Sequence, residues 1–283
     1  MGGSPIAGAD RLCEVFFLTV VHTLASGSSG NALVILSGGT RILLDAGVSC
    51  RRIAASLAEL GLGLGDLDAI LITHTHTDHI CGLRTLLKRS DAPVWATARA
   101  GRDLCRRLPE LEDRLCTAEP GVLFDLGSCA VTPIAASHDA PGACGYRLDT
   151  ADGSVGVLTD TGCITDQAAE LLPGVDLAVL EANHDVETLC SGPYPYYLKQ
   201  RILGLEGHLS NGDAAAFAVT LAERGASEIV LAHLSRENNT PAMALTAVET
   251  ALMAAGLEPA LSVAPRDTLG PAHVLVRRTI CKK

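Results

Sequence analysis

Residues 74–79 read His74-Thr75-His76-Thr77-Asp78-His79, and the reading of this stretch decides the fold. Three of the chain's nine histidines and one carboxylate fall within six positions. Immediately upstream, Asp68–Thr73 carries the apolar run Ala69-Ile70-Leu71-Ile72, which predicts a buried strand that ends where the polar cluster begins. In an extended segment residues 74, 76 and 78 project to one side, whereas His79 opens a helix and turns inward from another direction. That geometry can serve two ions at once. Neutral imidazole and carboxylate suit Zn²⁺, Mn²⁺ or Fe²⁺, and the lack of any C-x-x-C pair argues against a structural Cys-rich zinc site.

Partners for the cluster occur downstream, each at the end of a predicted strand. His138 closes Val131–Ser137, Asp160 closes Val155–Thr159, and His233 closes Ile229–Ala232. One such residue alone is an ordinary strand-end polar group. Three together are the pattern expected when a sheet edge delivers side chains to a single site. Between these points the sequence predicts strands at 15–25, 31–36, 41–45, 93–96, 121–137, 143–149, 154–159, 176–181, 228–233 and 272–278. It predicts helices at 49–60, 79–88, 97–108, 165–172, 196–203, 211–224 and 241–255. Meanders mixed with β-α units imply two packed sheets with helices outside. With no internal repeat and no convincing linker, residues 15–283 read as one domain behind a leader of residues 1–14.

The 283 residues are 48% hydrophobic but only 3% aromatic, with 28 glycines, so the core is built from Ala, Val, Leu and Ile between tight turns. A formal charge of -10 excludes a wholly basic nucleic-acid-binding surface. It does not exclude a phosphate substrate, because two bound divalent cations would bring four positive charges to the place that substrate occupies. Ten scattered cysteines point to free thiols in a reducing compartment, hence a cytoplasmic protein. The apolar run Val15–Val21 is too short to span a bilayer, and the residues after it read as the start of a sheet rather than a cleavage site. No membrane association is expected.

The order H-x-H-x-D-H, then single His, Asp and His at strand ends, resembles the metallo-β-lactamase superfamily, and Leu43-Leu44-Asp45-Ala46-Gly47 resembles that superfamily's first motif. A narrower resemblance, to the WalJ (YycJ) family, covers about residues 18–260. It is carried by Leu24–Asn31 (Leu-Ala-Ser-Gly-Ser-Ser-Gly-Asn), Ser137-His138-Asp139, Thr159–Gly162, Glu181–Asp185, Gly192-Pro193-Tyr194-Pro195, Gly207–Asn211 and Leu231–Pro241. The resemblance implies an α/β (α+β) protein folded as a four-layer αββα sandwich. It implies two divalent metal ions per chain, zinc, manganese or iron. One would be held by His74, His76 and His138, the other by Asp78, His79 and His233, with Asp160 bridging. Members of the family are regarded as 5′→3′ DNA exonucleases linked to DNA repair, so DNA is the implied partner. The leader is longer than the family pattern, and the β-CASP insertion of several superfamily nucleases is not evident.

For catalysis, Asp78 would both ligate and orient the attacking hydroxide, and His208 would donate a proton to the leaving oxygen or contact a phosphate, with Glu181 orienting His208. Ser26, Ser28, Ser29 and Asn31 form a Gly/Ser loop suited to phosphate contact, although such loops are also plain hairpin turns. Asp45 is expected to hydrogen-bond the histidine loop, and His184 and Asp185 to support the site from behind. Arg99, Arg102, Arg106, Arg107, Lys199 and Arg201 give a limited basic footprint, and Tyr194, Tyr196 and Tyr197 could stack on unpaired bases. Two other functions fit the same residues less well. One is a hydrolase of a small molecule, whether a phosphodiester, a thioester or a β-lactam. The other is a metal-binding scaffold without activity.

Overall fold

The computed structural model describes residues 18–276. The leader of residues 1–14 lies outside that range, as do the first residues of the strand predicted at 15–25 and the last of that at 272–278. In chain order the first sheet contains β1 (Thr19–Ala25), β2 (Ala32–Ser37), β3 (Thr40–Leu44), β4 (Ala69–Leu71), β5 (Val94–Ala96) and β6 (Leu115–Thr117). The second contains β7 (Phe124–Leu126), β8 (Cys129–Ala135), β9 (Cys144–Asp149), β10 (Ser154–Leu158), β11 (Leu177–Glu181), β12 (Glu228–Ala232) and β13 (Ala260–Val263). Strand β14 (His273–Leu275) returns to pair antiparallel with β1. Each sheet is half meander and half parallel: β3 to β6 run parallel, and so do β10 to β13.

The pleat explains the layering. Along β2 and β3, Leu33, Ile35, Ile42 and Leu44 face the second sheet, where they meet Tyr146, Val157, Val179 and Val230. Their alternates Val34 and Leu43 turn outward onto α1 (Cys50–Glu59), α3 (Leu83–Leu86) and α4 (Ala98–Arg107), which follow or flank the short α2 (Thr77–Ile80). On the far side, Leu158, Leu180 and Leu231 face α5 (Asp166–Leu171), α8 (Asn211–Glu223) and α9 (Pro241–Ala254). Helix, sheet, sheet, helix is the αββα order that the family resemblance implies. Helices α6 (Val186–Ser191) and α7 (Tyr196–Leu203) lie in an excursion between β11 and α8, and α7 buries none of its residues.

The helix predicted at 79–88 is two separate turns, α2 and α3, because the chain at Gly82 runs against the loop after β3. Its N–H donates to the Ala46 carbonyl, and a Cβ there would stand 2.2 Å from the Val48 oxygen. The strand predicted at 121–137 is a hairpin, broken at Gly127 with φ 59°. Strands β6 and β13 and helix α6 were not predicted; all are short, and the two strands lie at sheet edges. Asp78 stands on a helical turn rather than in an extended run, so it and His79 leave the loop in a helical arrangement.

Candidate metal centre

Most of the residues singled out by the sequence follow the C-terminal end of a strand, where side chains of open α/β sheets converge, while His76, Asp78 and His79 come from the start of α2. Asp45 follows β3, His74 follows β4, His138 follows β8, Asp160 follows β10 and His233 follows β12. The donor atoms fall into two sets, each within 4.8 Å: His74, His76 and His138, and Asp78, His79, Asp160 and His233. A third overlapping set joins Asp160 and His233 to Glu181 and His208. All border a cleft of about 410 Å³ at the sheet edges, or are buried behind it.

The hydrogen bonds behind the histidines leave one nitrogen of each ring for the cleft. His79 Nδ1 donates to Asp45 Oδ2 at 2.7 Å. Thr73 Oγ1 donates to the same oxygen at 2.8 Å and stands 3.1 Å from His74 Nδ1, from which it can accept. His138 Nδ1 donates to the Gly207 carbonyl at 3.0 Å, and His233 Nδ1 to Glu181 Oε1 at 2.8 Å. His76 presents Nδ1 to His138 Nε2 at 3.2 Å, and its Nε2 lies 3.5 Å from Asp139 Oδ1. Each tethered ring is thereby held with the lone pair of its other nitrogen toward the cleft.

Three buried atoms in this arrangement make no well-aligned hydrogen bond among the described residues: His74 Nε2, His233 Nε2 and Asp160 Oδ2, the last standing 3.1 Å from His79 Nε2. Buried polar atoms are rarely left so. Here they fall in the two adjoining donor sets, His74 in one and Asp160 with His233 in the other, and imidazole nitrogens with a carboxylate oxygen are donors that fit divalent cations. The electrostatics agree. Burial disfavours a charge on His233, but Asp160, Asp78 and Glu181 outweigh it and push its pKa up to about 10. Burial likewise opposes a charge on His79, yet Asp160 and Asp45 hold it well above the ordinary histidine range. His74, with burial and the neighbouring His79 acting together, is held well below that range. Asp45, Asp78, Asp160 and Glu181 thus favour positive charge around His79 and His233, while burial and the neighbouring histidines disfavour it at His74.

Glu181 is fully buried and accepts four hydrogen bonds. Oε1 takes Nδ1 of both His208 and His233 at 2.8 Å, and Oε2 takes the backbone N–H of Thr161 at 2.9 Å and of Leu209 at 3.2 Å. Burial works to raise its pKa, but these contacts bring it down to about 2. His208 lies over the middle of the site, its ring centroid 5.1 Å from that of His138 and 5.2 Å from that of His233.

The Gly/Ser loop divides by role. Ser26 is buried and its Oγ accepts the His233 N–H at 2.8 Å. Asn31 is buried too, its Oδ1 accepting from Gly27 N and its Nδ2 lying 3.0 Å from His79 Nε2. Ser28 lines the cleft and Ser29 is exposed. Asp185 caps α6 by accepting from Thr188 N. His184 is buried with neither ring nitrogen bonded among the described residues. Of the cations, Arg107 is spent on Asp103 and the Thr75 carbonyl, and Lys199 on the carbonyls of Cys190 and Gly192. Arg106 pairs with Asp103, while Arg99 and Arg102 are exposed on α4. Tyr194 lines the cleft, and Tyr196 and Tyr197 are exposed at the start of α7.

Three site-bearing residues escaped the sequence reading. Asp139 touches His76, but a residue adjacent to one donor gives no hint of its reach to another. Thr73 links His74 to Asp45, and Asp103, accepting from Thr75 Oγ1 at 2.7 Å, ties the histidine loop to α4. No signal marks Asp103; Thr73 and Asp139 sit beside donors already chosen.

Two facing sheets that deliver histidines and carboxylates to one edge cleft define a metal-dependent hydrolase. The sequence profile of the beta-lactamase superfamily domain matches residues 40–234. The chain is 38% identical over 224 residues to exodeoxyribonuclease WalJ of Streptococcus pneumoniae, an alignment spanning 78% of this chain and 83% of that one. It is 35% identical over 232 residues to exodeoxyribonuclease YycJ of Bacillus anthracis, with 81% and 87% covered. The chain therefore belongs to the metallo-β-lactamase superfamily and, within it, to the WalJ/YycJ family. The fold is shared with the metallo-beta-lactamase fold protein YhfI from Bacillus subtilis, with TM-score 0.70, 16% identity and coverage of 91% and 99%. PqqB from Methylobacterium extorquens matches with TM-score 0.67, 17% identity and coverage of 90% and 99%. No helix among the described residues is long and apolar enough to cross a membrane.

Proposed function

We propose that the protein is a metal-dependent 5′→3′ exodeoxyribonuclease acting in DNA repair in the cytoplasm, its hydrolase domain spanning residues 15–283. The observation that carries the reading is the convergence of buried, unpartnered His74 Nε2, His233 Nε2 and Asp160 Oδ2 on one cleft in a chain so similar to two exodeoxyribonucleases. In this reading His74, His76 and His138 would hold one divalent ion and Asp78, His79 and His233 the other, with Asp160 serving both and zinc or manganese, or else iron, as the metal. Such a pair supplies Lewis acidity toward the phosphodiester and the acidified water that attacks it.

The chain's own groups do the rest. Asp78, on the α2 turn, would help hold the metal and orient the attacking water with its carboxylate. His208 carries a proton on the ring nitrogen that faces the cleft and delivers it to the leaving oxygen, while its Nδ1–H stays on Glu181. Glu181 fixes His208 and His233 with one oxygen, so the proton donor and one ligand keep a constant separation. Substrate phosphate contact falls to Ser28 and Ser29, with Ser26 and Asn31 holding the loop against His233 and His79.

The test is an end-labelled duplex incubated with protein of measured metal content, beside Asp78→Ala. The expected result is stepwise nucleotide release from the 5′ end, abolished by chelator and reduced at least about a thousandfold in the variant. Intact duplex with fully metal-loaded wild type would refute the reading.

A further inference from the structure

Arg201 is the one lysine or arginine that lines the cleft among the described residues. It sits on α7, whose residues are all at least partly exposed, and its Nε donates to Asp139 Oδ2 at 2.5 Å. Its two Nη groups make no hydrogen bond among the described residues, so the fork is aimed by one nitrogen and free at the other two. The neighbouring cation on the helix, Lys199, is consumed by two carbonyls. Asp139 in turn places its other oxygen 3.5 Å from His76 Nε2 and 3.6 Å from His138 Nε2. Asp139 thus fixes Arg201 beside the His74, His76 and His138 set. Tyr194, from the same excursion between β11 and α8, also lines the cleft.

We infer that Arg201 is a clamp for the phosphate next to the scissile one, pre-aimed by Asp139, with Tyr194 stacking on the adjoining base. The inference rests on the nuclease reading and refines it: the site selects polynucleotide strands with consecutive phosphates over substrates with a single phosphodiester. A guanidinium whose Nε is already tethered can offer both Nη groups to two phosphate oxygens with little further ordering. The ion pair itself is exposed, with the arginine side chain 57% accessible, and so adds little to stability. An exposed cation held inside an otherwise acidic cleft by a weak surface pair is explained by an anionic ligand.

The experiment uses full-length, metal-loaded protein and end-labelled DNA in which one phosphate beside the first scissile linkage is neutralised. On one side the terminal phosphate is removed, and on the other a methylphosphonate replaces the next linkage. For the wild type, one of the two changes is expected to slow release of the first nucleotide by about tenfold or more. In Arg201→Gln the same change should alter the rate by less than about twofold, with Arg201→Lys between them. Thermal melting and metal content of each variant report on folding separately. Equal sensitivity in wild type and Arg201→Gln, or no sensitivity in the wild type, overturns the clamp. Failure of the nuclease reading looks different, because the fully phosphorylated strand would then survive as well.

Discussion

Replacing Glu181 with Gln isolates one carboxylate that supports both the donor set and the proton donor. The carboxylate accepts from two imidazoles at Oε1 and two backbone amides at Oε2, all inside the protein. A glutamine has one acceptor oxygen and one NH₂. If its oxygen faces the histidines, the NH₂ is driven against the N–H groups of Thr161 and Leu209; in the other orientation it meets two ring N–H groups. Either way two buried donors lose their acceptor, each costing about 1–3 kcal/mol. Loss of the charge opposite His233 adds to this, so the metal-free variant should unfold about 3–5 kcal/mol more easily than the metal-free wild type. With His233 no longer held by its Nδ1, affinity for metal should fall about 10- to 100-fold. Guanidinium unfolding of chelator-treated protein gives the first quantity, and competition with a chromogenic zinc chelator the second. If Glu181→Gln unfolds within about 1 kcal/mol of wild type and binds zinc equally well, the four bonds do not bear the weight assigned to them.

Other perturbations probe separate links. Tyr146 is fully buried and its hydroxyl donates to the Ile72 carbonyl at 2.9 Å, joining the second sheet to the segment that carries His74; Tyr146→Phe should cost about 1–3 kcal/mol in denaturant unfolding. Gly47 passes so close to the α2 turn that a Cβ would stand 1.6 Å from the Asp78 carbonyl oxygen, so Gly47→Ala should displace Asp78 and lower metal stoichiometry, as read by elemental analysis, even where the protein still folds. His184, buried without a hydrogen-bond partner among the described residues, has its pKa pushed down to about 4, first by burial. The unfolded chain therefore takes up a proton before the folded one does. Stability from this residue is complete above about pH 6.5 and falls as the pH drops toward 4, by about 2 kcal/mol at pH 4.5. In metal-free protein, His184→Leu should shrink the difference in urea stability between pH 7 and pH 4.5 by about that amount.

The layers and the donors were legible in the sequence because both obey short-range rules. Continuous apolar runs such as Ala32–Leu36 and Ile42–Leu44 mark strands buried on both faces, and a polar residue that abruptly ends an apolar run marks a sheet edge. Asp45 was readable as a support for the same reason. What escaped depends on packing between distant segments. Asp139 meets Arg201 only because the excursion through α7 folds back over the end of β8, and Asp103 meets Thr75 only because α4 packs beside the histidine loop. Ser26 and Asn31 read as phosphate contacts from composition. The hairpin buries both against His233 and His79, a matter of which loop face meets the sheet edge.

Backbone strain gives the same assignment from a different direction. Asp45, Asp160 and His233 are the non-glycine residues with positive φ among those described, at 61°, 57° and 55°. Each such conformation costs about 1–3 kcal/mol, and glycine would adopt it more cheaply. Each directly follows, or nearly follows, the end of a strand, and the left-handed turn takes its side chain out of the pleat toward the cleft. The neighbouring bonds enforce the turn: Asp45 N–H donates to Leu71 O at 2.8 Å, and His233 is gripped at its N–H by Ser26 and at its carbonyl by Asn183. A fold selected for stability alone would place glycine at these corners. Keeping a carboxylate or an imidazole at all three is explained only if the side chain is required there, and the atoms they present to the centre include two of its unpartnered buried donors.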